Sequence, residues 1–191
     1  EFIEQGVSFV PEDRHKNGCI ADLPIIYTTA MKEFREFGSK GSCDYEAIRH
    51  HAQRLVDEYD VKGVDDVSET KPKGLSGGNL QKLIIGRELD RDPTLLIANQ
   101  PTRGVDVGAI ESIREKIIQQ RDQGTGVVLL SEDMDELFSL SDRILVIYEG
   151  EFVHETTPET ADRERISLAM NGGSDSMTDG RPVVQALRSD D

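Results

Sequence analysis

Residues 75–82 read LSGGNLQK, a serine and two glycines placed directly ahead of a stretch with helical apolar spacing. Leu80, Leu83 and Ile84 lie at helical intervals, and the predicted helix ends before Pro93. Glycines at the mouth of a helix leave backbone N–H groups bare, and the helix dipole favours an anion there. The segment therefore predicts a phosphate-binding helix mouth, or, as the simpler alternative, an ordinary serine cap.

Strands and helices alternate on the carboxyl side of this segment. Apolar runs at 95–99 (LLIAN), 126–133 (GVVLLSED) and 143–150 (RILVIYEG) predict strands, separated by an amphipathic helix over 110–124 and a short one at 134–140. Such alternation predicts an α/β fold with a mainly parallel sheet that is covered on both faces. Gly150 then turns the chain back into a hairpin.

The rest of the chain predicts a small helical lobe and two terminal segments. Residues 6–10 predict a strand, 23–37 and 46–59 two helices, and 157–170 a final helix that opens with a capping threonine and a proline. These segments divide the chain into four parts: a partial core strand and loop (1–22), an α-helical subdomain (23–75), the helix that begins at the glycines with the α/β core (76–170), and a flexible tail (171–191).

The chain is strongly acidic, with 37 acidic and 22 basic residues and a formal charge of −15. This overall field repels phosphates and disfavours a nucleic-acid partner bound through a basic surface. Life at high salt or an ordinary solvated acidic surface would both explain it. Cys19 and Cys43 lack metal-type spacing, which indicates a reducing compartment, and no run approaches the length of a membrane-spanning helix.

Four motifs in order carry a resemblance to a known family: VPEDRHKNG (10–18), LSGGNLQK, PTLLIANQPTRGVDVG (93–108) and VVLLSEDMDELFSLSDRILVIYEGE (127–151). Together they resemble the second half of an ATP-binding cassette (ABC) ATPase domain, over nearly all of residues 6–170. The likeness is strongest to the C-terminal cassette of double-cassette subunits that serve sugar and nucleoside importers. It implies a P-loop NTPase-like fold.

The phosphate-binding loop of that fold, G-x-x-x-x-G-K-[ST], does not occur in the sequence. In cassettes this loop lies upstream of the strand that residues 6–10 match. We therefore expect an N-terminally truncated fragment that cannot complete an ATP site alone.

The resemblance implies roles for five residues. Ser76, Gly77, Gly78 and Asn79 match the signature motif, which binds the γ-phosphate of an ATP held by an opposing cassette. Asp106, in RGVDVG, matches the acidic position of the loop that crosses the dimer interface. It would also cap the following helix.

Four other positions matter because they depart from the family pattern or face its partners. Asn99 and Gln100 stand where the cassette supplies an Asp for Mg²⁺ and a Glu that polarises the attacking water, and amides replace neither. Glu132 stands where a His contacts the γ-phosphate, which a carboxylate repels. No catalytic position is therefore intact, and no metal site of the chain's own is expected. Glu12 stands at or near the Gln that senses Mg²⁺ and faces the transmembrane subunit, although a solvated loop acid is the alternative.

The implied function is that of an ATP-binding component of an importer for simple sugars or nucleosides. ATP and Mg²⁺ would bind in a composite site, to which this degenerate cassette contributes LSGGN. A partner cassette would contribute the rest of the site, and it would be either the N-terminal cassette of the same parent protein or a second ATPase subunit. The other implied partners are transmembrane permease subunits, docked near residues 14–40, and indirectly a solute-binding protein. The implied location is peripheral, on the cytoplasmic face of the membrane.

Two alternatives to this function stay open. One is a nucleotide-dependent scaffold or clamp outside transport, since a fold alone does not fix a role. The other is an inactive remnant. In either case we expect the chain alone to be inactive.

Overall fold

The computed structural model of the protein describes residues 2–39 and 42–173, so most of the predicted tail lies outside the described residues. The chain divides into two units, the first ending at Leu130 and the second beginning at Ser131. The four-part division drawn from the sequence stays a prediction. The elements in chain order are β1 (Val7–Val10), α1 (Ile25–Ala30), β2 (Gly38–Ser39), β3 (Ser42–Cys43), α2 (Tyr45–Glu58), α3 (Gly77–Leu89), β4 (Leu95–Asn99), α4 (Val107–Asp122), β5 (Gly126–Leu130), α5 (Met134–Leu140), β6 (Ile144–Tyr148), β7 (Glu151–Thr156) and α6 (Arg163–Met170).

A three-stranded parallel sheet in the order β1-β4-β5 organises the first unit. Val10 lies opposite Ala98, and Ala98 lies opposite Leu129. Because the strands are parallel and in register, the loops that follow β1 and β4 leave the sheet at the same edge. This edge carries Glu12, Asn99, Gln100 and Asp106, which the family resemblance assigns to the site.

Helix α3 is the central element of the hydrophobic core. Ten of its 13 residues are buried, so it has no solvent face of any width. Helices α1 and α2 supply Ile25, Ile48 and Leu55 to the same core, and α4 supplies Ile113. A helix that is buried nearly all round lies inside a protein, and its ends are fixed by everything packed against it. The mouth of α3 is therefore held in place.

The helix predicted over 23–37 is shorter than expected, because α1 ends at Ala30 and residues 31–37 form turns. The stretch MKEFRE offers no continuous apolar stripe to bury, so tertiary contacts decide its path. Lys32 turns inward to pair with Glu88 of α3. The second predicted helix, over 46–59, agrees with α2.

The strand predicted over 126–133 is present as β5 but is shorter than expected. Strand β5 ends at Leu130 and is half exposed, with Val128 at 48% of its full accessibility, and among the described residues it pairs only with β4. Val128 lies in register with Ile97 and Phe9, and Phe9 is 43% exposed. The predicted helical cover on both faces is therefore incomplete over this row of the described sheet.

The second unit is built around an antiparallel hairpin of β6 and β7. The predicted hairpin is confirmed, but β6 pairs only with β7 in the described residues and does not extend the parallel sheet. The final helix begins at Arg163, not near Thr157, because Asp162 is its cap and accepts bonds from two backbone N–H groups. Ile144, Val146, Ile166 and Ala169 form a small core. Among the described residues, no helix combines the length and apolar character needed to cross a bilayer.

Candidate functional site

Ser76 and Asn79 form a closed cap at the mouth of α3. The Ser76 Oγ accepts hydrogen bonds from the backbone N–H of Asn79 at 3.3 Å and from its side-chain Nδ2 at 2.9 Å. The Asn79 Oδ1 accepts in turn from the backbone N–H of Lys62 at 2.8 Å. Because the serine oxygen is the acceptor in both bonds, its proton is not used by them. The capping role and an anion-binding role are thus compatible.

The two glycines of the motif allow another loop to approach the helix mouth closely. A Cβ atom on Gly78 would lie 2.6 Å from Oδ2 of Asp106 and 2.9 Å from the Cβ of Ala109. One on Gly77 would lie 3.2 Å from the carbonyl oxygen of Gly104. Residues 101–106, which we call the interface loop, therefore pack directly onto the start of α3. Any side chain at Gly78 would push the two apart.

Asp106 caps α4 and also adjoins the mouth of α3. Its Oδ1 accepts a hydrogen bond from the backbone N–H of Ala109 at 2.9 Å, as the sequence predicts for a helix N-cap. The side chain is nevertheless exposed. A single carboxylate therefore connects the start of α4 to the glycines of the signature motif.

The amides of Asn99 and Gln100 lie at the carboxyl end of β4. Asn99 is the last residue of the strand and lies opposite Leu130. Gln100 has a left-handed backbone, with φ of +51°, and its N–H donates to the carbonyl of Leu130 at 2.8 Å. Such a conformation is uncommon for a residue other than glycine. The chain therefore turns sharply at the end of β4, but the side chains there are neutral amides that cannot act as a base or balance the charge of a metal ion.

Two side-chain contacts tie the loop after β1 to the interface loop. Glu12 forms an ion pair with Arg103, and Arg14 donates from Nη2 to the carbonyl oxygen of Gly104 at 3.1 Å. Sequence reasoning missed both arginines, although they stand inside the quoted motifs VPEDR and PTRG. The missing information was the pairing of β1 with β4, which makes these two loops neighbours.

Glu132 belongs to the second unit, where it is exposed and precedes the cap of α5. Its neighbour Asp133 accepts hydrogen bonds from the backbone N–H groups of Asp135 and Glu136. The other predicted site residues all belong to the first unit. There the structure brings Ser76–Asn79 and Asp106 together, and it connects Glu12 to the same interface loop.

A cluster away from this edge has the side chains of a metal site but not its electrostatics. Glu33, His51 and Asp90 place ligand-type atoms within 4.8 Å of one another. Arg54, however, donates to Asp90 at 2.7 Å, and Arg91 pairs with Glu33 at 3.2 Å. The hydrogen bond from Arg54 lowers the pKa of Asp90. Guanidinium groups therefore already neutralise both carboxylates, and the cluster is an ion-pair network.

Comparison with known proteins finds relatives of the chain, although no protein-family model matches it. The glucose import ATP-binding protein TsgD13 of Haloferax volcanii is 62% identical over 188 residues, which cover 97% of this chain and 34% of that protein. The guanosine import ATP-binding protein NupO of Bacillus subtilis is 43% identical over 176 residues, which cover 91% of this chain and 34% of that protein.

Solved structures share the fold. The dimeric structure of a post-hydrolysis state of an ATP-binding cassette, bound to ADP and Pi, matches with a TM-score of 0.65 at 23% identity, over 81% of this chain and 63% of that one. The ATP-binding subunit of an ABC transporter matches with a TM-score of 0.63 at 19% identity, over 87% of this chain and 69% of that one.

The parallel sheet, the glycine-lined mouth of α3 and these structural matches define the fold of an ATP-binding cassette. Its fold is that of the ABC superfamily, and the relatives that it matches are ATP-binding proteins named for sugar and nucleoside import. It spans about a third of the length of the curated relatives it matches.

Proposed function

We propose that this chain is part of the ATP-binding subunit of an importer for a sugar or a nucleoside, and that it lends its signature motif to an ATP held by a partner cassette. The observation that carries the proposal is an intact LSGGN at the accessible mouth of a buried helix, together with amides at the strand end where this class needs carboxylates. One half of the machinery is thus present, and the other half is degenerate.

The residues at the mouth of α3 fit a phosphate. The first backbone N–H groups of a helix have no partner within the helix, and the helix dipole attracts negative charge. Ser76 is exposed and its hydroxyl proton is available to donate, so these groups would hold the γ-phosphate of ATP. Bound ATP would join two cassettes by contacting both. Closure around it would then move permease subunits at the cytoplasmic face of the membrane.

The strand end of this chain does not fit Mg²⁺. A hard cation of this kind is held through carboxylates, whereas Asn99 and Gln100 offer neutral amides. Neither amide can take a proton from an attacking water. In our proposal the metal ion and the hydrolytic step therefore belong to the site whose phosphate loop the partner cassette supplies.

The test compares three variants in the full-length protein that carries this chain. Gly77→Asp places a carboxylate at the helix mouth, and we expect it to reduce ATP hydrolysis by at least about a hundredfold, because the phosphate is repelled there. Gly77→Ala adds the same Cβ without the charge and should cost much less. Gln100→Ala should leave the rate within about twofold, because Gln100 cannot act as a base. The measurement is the steady-state rate of ATP hydrolysis of each variant. An equal loss of this rate in Gly77→Asp and Gln100→Ala would refute the proposal.

A further inference from the structure

Three segments converge at the carboxyl edge of the sheet. They are the five-residue turn Arg14–Gly18 that follows β1, the interface loop and the mouth of α3. The first two meet because β1 and β4 are neighbouring parallel strands. The interface loop and α3 meet because the signature motif has glycines there. The side chain of Arg14 donates a hydrogen bond to the interface loop and lies close to the mouth of α3.

The guanidinium of Arg14 lies between the interface loop and the helix mouth. Its Nη2 donates to the carbonyl oxygen of Gly104 at 3.1 Å. The same nitrogen lies 3.5 Å from where a Cβ atom of Gly77 would be, and the Gly104 carbonyl oxygen lies 3.2 Å from that point. Gly104 has φ of +63°, a conformation that glycine adopts without steric cost. The carbonyl of this glycine is thus held at the start of α3.

The backbone that carries Arg14 is anchored at both ends. The Asp13 side chain caps the turn by accepting bonds from the N–H groups of His15 and Lys16, at 3.1 and 3.0 Å. At the other end, the buried carbonyl of Gly18 accepts a bond from Arg87 of α3 at 2.7 Å. A side chain on a base of this kind can hold a neighbouring loop instead of following it.

We propose that Arg14 is a positioning residue of the signature site, acting through Gly104. Its hydrogen bond keeps the interface loop seated on α3, and so keeps Asp106 against Gly78 when a second cassette closes on the motif. The inference rests on the proposed function, because seating matters only if this mouth takes part in an ATP site. Without the guanidinium the loop keeps its fold, but the helix mouth and the loop no longer present one fixed surface to the partner.

The experiment uses the full-length protein that carries this chain and the variants Arg14→Met, Arg14→Lys and Arg121→Met. Methionine keeps much of the length of the arginine and removes both the charge and the donors. We expect Arg14→Met to lower kcat for ATP hydrolysis about tenfold, the scale of one lost hydrogen bond to a charged group. KM for ATP should stay within about twofold, because the partner cassette holds most of the nucleotide. Lysine retains one donor for Gly104 and should recover at least about a third of the lost rate.

Arg121→Met is the matched control, since Arg121 is an exposed arginine in the last turn of α4 that bonds to the adjacent Asp122. It should leave kcat unchanged. A merely structural role for Arg14 predicts instead that Tm falls and that lysine brings no recovery of kcat, and that result would overturn the proposal. An Arg14→Met protein with the kcat of Arg121→Met would also overturn it.

The Gly77→Asp variant, measured in the same series, distinguishes a failure of the role of Arg14 from a failure of the proposed function. If Gly77→Asp abolishes hydrolysis while Arg14→Met matches the control, only the role of Arg14 is refuted. If Gly77→Asp leaves hydrolysis intact, the proposed function itself fails.

Discussion

His51 lies buried on α2 against groups of both charges. Its Nδ1 is 3.2 Å from a guanidinium nitrogen of Arg54 and 3.6 Å from a carboxylate oxygen of Asp90, and its ring stands 5.1 Å from that of Phe37. Burial lowers the pKa of His51, with Asp90 opposing and Arg54 adding to the shift. The neutral ring, accepting from Arg54, is the form that suits this position.

This environment predicts a pH dependence of stability. The unfolded chain binds a proton at His51 near pH 6.5, whereas the folded chain binds it only at lower pH. Between these two values the unfolded state holds more protons, so the free energy of unfolding falls as the pH drops through about 6.5. Urea unfolding of the chain at pH 7.5 and 5.5 measures this loss. The loss of unfolding free energy between these two pH values should be smaller in His51→Gln. It should be unchanged in His50→Gln, which alters an exposed neighbour. Equal losses in the two variants would contradict the prediction.

The sequence predicts some site residues and misses others for a physical reason. The capping roles of Ser76 and Asp106 follow from residue type and position next to a helix, which are local properties. Arg14 and Arg103 act on residues about 90 positions away in the chain, and only the β1–β4 pairing makes them neighbours. Long-range partners of this kind are not visible in local sequence patterns.

The carboxyl end of helix α3 is fixed by a buried network of charges. Both carboxylate oxygens of Glu88, which is fully buried, accept hydrogen bonds: Oε1 from Arg87 at 2.7 Å, and Oε2 from Lys32 at 2.5 Å and from the backbone N–H of Phe9 at 3.1 Å. The Ser8 hydroxyl donates to the Glu88 carbonyl at 2.8 Å. The carboxyl end of the signature helix is thus bonded to β1 and to the turn after α1.

Glu88→Gln should destabilise the first unit strongly. The amide retains the shape but removes the negative charge, which leaves Arg87 buried and Lys32 half-buried without a counter-charge. Breaking one side of a buried ion pair costs about 3 kcal/mol of unfolding free energy. Glu111→Gln, on the exposed surface of α4, should stay within about 0.5 kcal/mol of the parent chain. Urea titration of both variants tests this, and a Glu88→Gln midpoint equal to that of Glu111→Gln would refute it.

Elements were predictable from sequence where one local signal dominated. The apolar run of β4 and the spacing in α3 each had a single interpretation. The start of α6 did not: the Thr157–Pro158 pair predicts a helix start, but the competing cap at Asp162 determines where α6 begins. Thr160 instead closes a turn with its N–H donating to the Thr157 carbonyl at 3.1 Å. Two capping signals a few residues apart cannot be ranked without the packing of α6 on its own hairpin.

The whole chain carries 15 more negative than positive charges, and no local contact offsets such an excess. Exposed ion pairs, such as Lys73 with Asp22, contribute little to stability because solvent screens their attraction. Folding brings the remaining carboxylates closer together than they are in the unfolded chain. Self-repulsion therefore opposes the compact state.

Salt should accordingly stabilise this protein. Raising KCl from 0.1 to 1 M shortens the Debye length from about 10 Å to about 3 Å, which screens the carboxylate repulsion over most of the surface. Salt also weakens the exposed ion pairs, but their net contribution to stability is small because desolvation offsets much of their attraction. The excess carboxylates only repel one another. We expect Tm to rise by several degrees and the rise to be smaller in the Glu111→Gln, Glu115→Gln double variant, which removes two of the 37 acids. A Tm that stays constant or falls with KCl would show that repulsion among the acids does not limit stability, and would favour an ordinary solvated surface over adaptation to high salt.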